Sequence, residues 1–382
     1  MKWLKRIVLL IIVIELSSLV ALLVASKFSR INLVYTAPKD NLDEYLNNRH
    51  SVTGWPTKKL LNSKQYNKKG ARPNPYKFQS RNPRVKVFGD SFARGAEVAA
   101  KHCWSNLITQ SHGINTENYG VDGFGTDQAY LRYEEKHQSN EDVIIACFTS
   151  DNIMRNVNQY RNLLDSRMRF LGFKPRFIVD NNGKLKQIPI VSPDKSVIET
   201  TIKKPTGGQL QHDYLLAGNG PQYIKWPFVF SFAKLFSHYL IKAKMQGKAF
   251  YADFFQPAHP SKSIQTTAKI LDAFSKKSNK VLYVFFPQEQ DFNYYAANGK
   301  WLFGSLIEEL RKVKPNASIL NLGDAFVKQP NFENEVASYL APHKHYNKKG
   351  NQIVSKAVYN KLKALGWMAK VQEKQIAPEV VN

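Results

Sequence analysis

The alternation of short apolar runs with amphipathic segments constrains this fold more than any other feature of the chain. Short runs rich in β-branched and aromatic residues occur at 85–88, 116–119, 143–148, 280–286 and 318–322. Apolar residues with helical spacing follow or precede them, at about 92–110, 126–137, 264–275, 302–313 and 351–365. Fully apolar strands that alternate with helices are typical of a parallel sheet covered on both faces. We therefore predict an α/β fold, with a flavodoxin-like, five-stranded parallel sheet and helices on both faces.

A serine follows the first predicted strand directly. Ser91 lies in the sequence VKVFGDSFARG, where the strand ends at Gly89. A serine on such a strand-to-helix turn lies at the carboxyl edge of the sheet, where ligands of these folds bind. Backbone N–H groups at a helix start favour developing negative charge there. Gly-Asp-Ser is also a good tight turn, so the tripeptide alone leaves a nucleophile and a plain turn both open.

Three later segments support the interpretation of Ser91 as a nucleophile. NYGVDGFGTDQ, which contains Gly123, follows the second strand, and DVIIACFTSDNIMRN, which contains Asn152, includes the third. HKHYNKKGNQIVSKAV, near the C-terminus, contains His343 and His345. At these four blocks, in this order, the chain resembles the SGNH/GDSL hydrolase family over about residues 84–365, apart from one long insertion.

The resemblance implies a chemistry and a set of site residues. Members of this family hydrolyse or transfer acyl groups at esters with a serine and a histidine. It therefore implies that Ser91 is the nucleophile and His345 its general base. It also implies an oxyanion hole formed by the N–H of Ser91, the N–H of Gly123 and the side chain of Asn152. Asp151 is the alternative alignment to Asn152, but an aspartate cannot donate a hydrogen bond unless it is protonated.

The chain departs from the family at the residue that orients the histidine. The family has a carboxylate two or three residues before its histidine, where this chain has His343 and Pro342. Three hypotheses stay open: a backbone carbonyl orients His345, Asp324 substitutes for the carboxylate, or the enzyme is impaired. His343 could also exchange roles with His345 as the base. The last of the three hypotheses leads to an alternative function, a non-catalytic binding or assembly module of the cell envelope.

One segment of the chain is long and apolar enough to span a membrane. Residues 7–26 form an apolar run that would cover about 30 Å as a helix, the thickness of one hydrocarbon core. Cations on both sides of the run favour, by a small margin, an N-terminus inside the cytoplasm. We predict an uncleaved signal anchor; a cleaved signal peptide is the alternative, although its small-residue cleavage pattern is poor here. Glu15, inside the run, is either a tolerated carboxyl or a polar contact between helices.

The chain is predicted to have four parts. Residues 1–28 form the membrane anchor, 29–83 a stalk and pre-core segment, 84–370 the hydrolase-like domain, and 371–382 a C-terminal tail. About 125 residues separate the third and fourth strands, far more than a normal crossover needs. We place an insertion at about 159–261. It contains a hairpin with Asn182-Gly183 at its turn and an aromatic stretch that is either core or a lid or acyl groove.

Composition restricts the partners of the chain. The net charge of +25 indicates attraction to anionic partners. Because no nucleic-acid fold signature is present, we expect an anionic envelope and no nucleic acid. No metal motif and no cofactor is indicated, and Cys103 and Cys147 are expected to stay unpaired. The predicted function is that of a serine esterase or acyltransferase on O-acyl, foremost O-acetyl, groups of envelope glycans or lipids. The enzyme would be held at the inner (cytoplasmic) membrane by a single span, with its catalytic domain outside the cytoplasm.

Overall fold

The computed structural model of the chain describes residues 1–368, except for residues 29–33, 36, 39–40, 79, 138, 141, 165–169, 206–207, 217–219, 222 and 237. The tail predicted at 371–382 lies outside the described residues. The chain divides into two compact units. The insertion unit comprises Met1–Trp55, Val157–Arg176 and Ile188–Asp253, and the sheet unit comprises Pro56–Asn156, Phe177–Gln187 and Phe254–Asn382.

The strands and the α-helices are each numbered in their order along the chain. The strands are β1 (Ser80–Phe88), β2 (Ile114–Asn118), β3 (Val143–Thr149), β4 (Arg176–Val179), β5 (Leu185–Ile188), β6 (Val281–Phe286) and β7 (Ser318–Asn321). The α-helices are α1 (Lys2–Phe28), α2 (Leu42–Asn48), α3 (Lys58–Leu61), α4 (Ser91–Arg94), α5 (Trp104–His112), α6 (Thr126–Lys136), α7 (Asn152–Arg155), α8 (Lys195–Lys203), α9 (Phe228–Leu235), α10 (Tyr239–Met245), α11 (Ser263–Ala273), α12 (Glu289–Asn298), α13 (Gly304–Val313), α14 (Gly323–Val327), α15 (Phe332–Glu335) and α16 (Lys348–Ala364).

The sheet unit contains a five-stranded sheet in the order β2-β1-β3-β6-β7. All of its strand pairs are parallel, with Val85 opposite Val143 and Cys147 opposite Val284. Counted along the sheet strands, this is the 2-1-3-4-5 order of flavodoxin-like folds. The predicted fold class is therefore confirmed, and each strand starts or ends within a few residues of its predicted position.

Alternate side chains of the strands point to opposite sides of the sheet, and helices cover both of its faces. Val87 belongs to a buried cluster with Trp104 of α5 and Val358 of α16. The next residue, Phe88, packs its ring against Tyr133 of α6, with ring centroids 5.5 Å apart. The two cysteines are buried in this unit and are not joined to each other.

The first crossover differs from its prediction. The helix predicted from just after Ser91 to about residue 110 is broken: α4 ends at Arg94, and α5 begins only at Trp104. Gly95 ends α4 in the left-handed region at φ 70°, a conformation that glycine adopts without strain. Glu97 also has a positive φ, 65°. The break therefore leaves residues 95–103, which include a short 3-10 helix at Ala100–His102, immediately after the serine turn.

The insertion unit has its own core and contains the longest helix of the described chain. Its buried cluster includes Tyr160, Phe173 and Ile198. Helix α1 has 27 residues, of which Lys2–Ala25 is long and apolar enough to cross a membrane. The hairpin predicted at Asn182-Gly183 is present as β4 and β5. Most of it, Phe177–Gln187, groups with the sheet unit.

Candidate active site

Ser91 is the first residue of α4, at the carboxyl end of β1. Asp90 caps this helix, and its Oδ1 accepts the N–H of Phe92 at 2.9 Å. The loop after β2 approaches this serine turn closely at Gly120, where an added Cβ would lie 2.5 Å from the backbone nitrogen of Arg94. A glycine is therefore required at position 120 for the loop after β2 to pack against the serine turn.

The structure brings Ser91 and His345 together from opposite ends of the sheet unit. The Nε2 atom of His345 lies 2.8 Å from the Oγ of Ser91. The loop that holds His345 is closed by a bridge between Leu340 and Tyr346. The hydroxyl of Tyr346 donates to the carbonyl of Pro287 at 2.6 Å. These contacts fix the imidazole beside the serine hydroxyl.

Glu97 contacts the other nitrogen of the same imidazole. Its Oε2 lies 2.8 Å from Nδ1 of His345 and accepts the N–H of His345 at 3.1 Å. Its Oε1 accepts the N–H of His343 at 2.9 Å. Burial by itself would raise the pKa of Glu97, but the hydrogen bonds from His343 and His345 outweigh it and lower the pKa. The carboxylate is thus kept ionised against His345.

Glu97 corrects two of the hypotheses made from the sequence. A side-chain carboxylate, and not a backbone carbonyl, faces Nδ1 of His345. Asp324 is not that carboxylate: its Oδ1 accepts hydrogen bonds from Nε1 of Trp301 at 3.1 Å and Nδ2 of Asn321 at 2.8 Å. Asp324 is bound to its own strand end and helix start, at the edge strand β7. His343 contributes its backbone N–H to Glu97, whereas His345 is the histidine at Ser91.

Asn152 is the first residue of α7, directly beyond β3, and Arg155 holds its amide. Nη1 of Arg155 donates to Oδ1 of Asn152 at 3.0 Å and to the carbonyl of Phe124 at 2.9 Å. Because the amide oxygen is occupied in this way, the NH2 group of Asn152 points elsewhere. Nδ2 of Asn152 is buried and has no hydrogen-bond partner among the described residues. A buried donor left open is costly unless a ligand completes it.

Arg155 also joins the serine turn to the third strand. Its guanidinium pairs with Oδ2 of Asp90 at 3.3 Å and with the carboxylate of Asp151. The hydroxyl of Thr149 donates to the same Asp90 oxygen. Burial raises the pKa of Asp90, and the charge of Arg155 opposes that rise. A single buried cation therefore ties together the segments that contain Ser91, Gly123 and Asn152. No motif in the sequence pointed to Arg155, which lies three positions after Asn152, one helical turn away.

Gly123 lies in a turn between two anchored neighbours. The N–H of Phe124 donates to the carbonyl of Val121 at 3.2 Å, and Gly123 itself has a φ of 75°. Asp122 forms a two-pronged ion pair with Arg94 of α4, at 2.7 and 2.6 Å. Among the described residues, the N–H groups of Gly123 and Ser91 donate to no protein acceptor. Together with Nδ2 of Asn152, three donors at this edge of the sheet are open.

No family model matches the chain, and no curated protein matches it significantly. A lipolytic protein of the G-D-S-L family from Veillonella parvula matches in structure at 11% identity and a TM-score of 0.35, over 72% of this chain and 96% of that one. A lipase/acylhydrolase from Enterococcus faecalis matches at 10% and 0.35, over 74% and 96%. An acetyl xylan esterase from Butyrivibrio proteoclasticus matches at 11% and 0.32, over 76% and 66%.

The sheet order and the positions of the four blocks define the class of the fold. Ser91, Gly123 and Asn152 follow three neighbouring strands of the sheet, β1, β2 and β3, and His345 precedes the last helix, α16. The fold is therefore flavodoxin-like, with the four blocks at the positions that the resemblance to the SGNH/GDSL hydrolases implies. In the part of the chain that the structure describes, no group of three or more His, Cys, Asp or Glu residues is arranged to hold a metal ion.

Proposed function

We propose that this protein is a serine esterase or acyltransferase that acts on O-acyl, foremost O-acetyl, groups of cell-envelope glycans or lipids. One observation carries the proposal: a continuous chain of contacts from Ser91 Oγ to His345 Nε2 at 2.8 Å and from His345 Nδ1 to Glu97 at 2.8 Å. A nucleophile, a base and a carboxylate in this arrangement are the parts of a hydrolytic triad, which is recognised by geometry and not by sequence order.

The first half-reaction forms an acyl-enzyme. His345 takes the proton of Ser91 at Nε2 while Oγ attacks the ester carbonyl, because a serine hydroxyl is a weak nucleophile until a base removes its proton. The resulting imidazolium keeps its proton on Nδ1 against the ionised Glu97. His345 then donates the proton on Nε2 to the leaving alkoxide, and the bond between the carbonyl carbon and the alcohol oxygen breaks.

The negative charge of the tetrahedral intermediate falls on the former carbonyl oxygen. The three open donors, the N–H groups of Ser91 and Gly123 and Nδ2 of Asn152, support an oxyanion hole for it. Donors that are already oriented need no reorganisation during the reaction, which is why such groups contribute strongly to rate.

The second half-reaction releases the acyl group. Water gives hydrolysis, and a sugar hydroxyl gives transfer. In either case His345 removes the proton from the incoming oxygen, that oxygen attacks the acyl carbon, and the bond to Ser91 Oγ breaks as the proton returns to the serine. The same residues act in both directions, so the acceptor alone decides between the two reactions.

The proposed location of the enzyme is supported by α1 and by the charge of the chain. The apolar segment Lys2–Ala25 supports a single membrane anchor at the inner membrane, with the sheet unit outside the cytoplasm. The net charge of +25 supports a substrate in an anionic envelope. The alternative, a non-catalytic binding or assembly module, is motivated by the missing carboxylate and by the altered third block around Asn152. The contact of Glu97 with His345 weakens the first of these two motives.

The experiment that tests the proposal is covalent labelling. Wild-type protein should react with a fluorophosphonate probe and turn over p-nitrophenyl acetate. Ser91→Ala should lose both while keeping its melting temperature, and Ser338→Ala, a surface serine, should keep both. Turnover in the Ser91→Ala variant equal to that of the wild type would contradict the serine mechanism.

A further inference from the structure

The aromatic stretch of the insertion unit packs along the candidate membrane span. Helix α9 contacts α1, and Leu22 of α1 and Leu235 of α9 are buried in one small apolar cluster. Ala25 of α1 and both Phe228 and Phe232 of α9 pack against that cluster. The sequence left this stretch open between core and a lid; in the structure, α9 is a partner of α1.

Glu15 joins the two helices with a polar contact. Its Oε2 accepts the N–H of Phe228, the first residue of α9, at 2.5 Å. The first N–H groups of a helix have no partner within the helix, and a carboxylate near a helix start is favoured by the helix dipole. The contact therefore accounts for a carboxylate inside the apolar run, and it satisfies a donor of α9 where water would otherwise be needed.

The side of α9 that faces away from α1 is apolar and exposed. Phe230 is 64% exposed. Trp226, just before the helix in sequence, is 76% exposed, and Phe236, just after it, is 55% exposed. Large apolar side chains of α1 are exposed to a similar degree, for example Leu10 at 59%. Exposed apolar side chains of this size, on two helices that pack together, mark an interaction site on a protein in water. Whatever covers the exposed side of α1 also reaches the neighbouring helix.

We propose that α9 lies within the lipid bilayer beside α1, as a second membrane-embedded element formed by the insertion. This proposal rests on the membrane anchor proposed above. Glu15 precedes Ala25 by ten residues, which corresponds to about 15 Å along a helix. That is roughly half of a hydrocarbon core. The start of α9 therefore lies near the middle of the bilayer, and the helix runs from there towards its surface.

The polar groups of this segment agree with a lipid environment. In lipid, backbone polar groups must be satisfied by the protein itself. The Oγ of Ser231, which is buried, accepts the N–H of Lys225 at 3.2 Å and donates to its carbonyl at 2.9 Å. The ammonium of Lys225 lies 5.6 Å from the centre of the Tyr223 ring. Lys234 lies exposed in the last turn of α9, at the end of the helix that the proposal places nearer the membrane surface.

The test is a depth measurement on the full-length protein. The protein is reconstituted in vesicles of phosphatidylcholine and phosphatidylglycerol, with an environment-sensitive fluorophore on a cysteine introduced as Phe230→Cys. Leu10→Cys on α1 is the control for lipid contact, and Thr200→Cys, exposed on α8, is the control for water. Cys103 and Cys147 are buried, and protein without an introduced cysteine measures any labelling of them.

We expect lipids brominated in the acyl chains to quench the labels at positions 10 and 230 to a similar extent, and aqueous iodide to quench only the label at position 200. A label at 230 that behaves like the one at 200, while the label at 10 is quenched by lipid, would overturn the proposal and leave the anchor intact. Quenching by iodide at all three positions would overturn both. Turnover of a soluble ester by the same samples reports separately on the proposed catalytic function.

Discussion

Two helices of this molecule, α4 and α9, differ in whether the first backbone N–H has a hydrogen-bond acceptor in the described part of the chain. At α4, the N–H of Ser91 has no acceptor among the described residues, and the nearby site contains two further open donors, on Gly123 and Asn152. At α9, the N–H of Phe228 is bound by the carboxylate of Glu15, from 213 residues away. Open donors are tolerated where a ligand oxygen can complete them, whereas a donor that faces hydrocarbon needs an acceptor from the protein.

The same contrast applies to the carboxylates of the two regions. Glu97 accepts three hydrogen bonds around His345 and is held ionised by them. Glu15 accepts one, within the apolar run of α1. The first is suited to stabilising a charge that appears during a reaction, and the second to closing a contact between helices. Five predictions test this comparison.

The largest effect is expected from the carboxylate of the candidate triad. Glu97→Gln should lower kcat/KM for p-nitrophenyl acetate by roughly 10²–10⁴-fold, because the imidazolium of His345 loses its counter-charge and its orientation. Asp324→Asn is the matched control and should stay within about twofold of wild type. Folding is checked by circular dichroism. A large loss in Asp324→Asn with an active Glu97→Gln would reverse the assignment.

The second effect is expected at the open donor of Asn152. Asn152→Ala should reduce kcat by about 10²–10³-fold with little change in KM, because the donor acts on the oxyanion and not on the ground state. Wild-type KM and kcat measured side by side give the comparison. A variant in which KM rises and kcat is unchanged would show that Asn152 binds substrate only.

Arg155 should act through Asn152, and a double-mutant cycle tests this within the same experiment. Arg155→Lys keeps the positive charge next to Asp90 and Asp151 but loses the fixed fork of the guanidinium. We expect about a tenfold loss of kcat in the wild-type background. In the Asn152→Ala background, the same substitution should have almost no further effect. Equal losses in both backgrounds would contradict a positioning role.

A smaller effect is expected from Glu15. Glu15→Leu should weaken the closure of α9 on α1 by about 1–3 kcal/mol, because the N–H of Phe228 is left unsatisfied. Glu15→Gln keeps an acceptor oxygen and should perturb it less. Hydrogen exchange of the α9 amides in vesicles measures the difference. If exchange in the Leu variant is as slow as in wild type, the contact does not hold the helices together.

The smallest effect concerns stability at acidic pH. The pKa of Glu97 is lowered in the folded protein, so its stabilising contribution is present above the unfolded pKa of about 4.3 and is lost as pH falls through the folded value. Wild type should therefore lose slightly more unfolding free energy on acidification than Glu97→Gln. Denaturant unfolding of both proteins across this pH range measures the difference. Parallel pH profiles would argue against the hydrogen bonds at Glu97.

Much of the fold could be predicted from the sequence because its signals are local. The apolar runs and their alternation with helices determine a parallel sheet, and a serine placed directly after β1 must lie at its carboxyl edge. Gly123 and Asn152 follow β2 and β3, the two neighbours of β1 in the sheet, so they lie at the same edge as Ser91. The frame around His345 identified the histidine that the structure places 2.8 Å from Ser91.

The tertiary structure alone decided the contacts between residues that are far apart in the chain. Glu97 lies in a stretch that the pattern predicted as helix, and only the break at Gly95 turns its carboxylate towards His345, 248 residues later. Arg155 and Glu15 likewise gain their partners from other segments. A periodic pattern reports which face of a segment is apolar. It contains no information on which distant charge will meet that face, because that depends on how the loops bring the segments together.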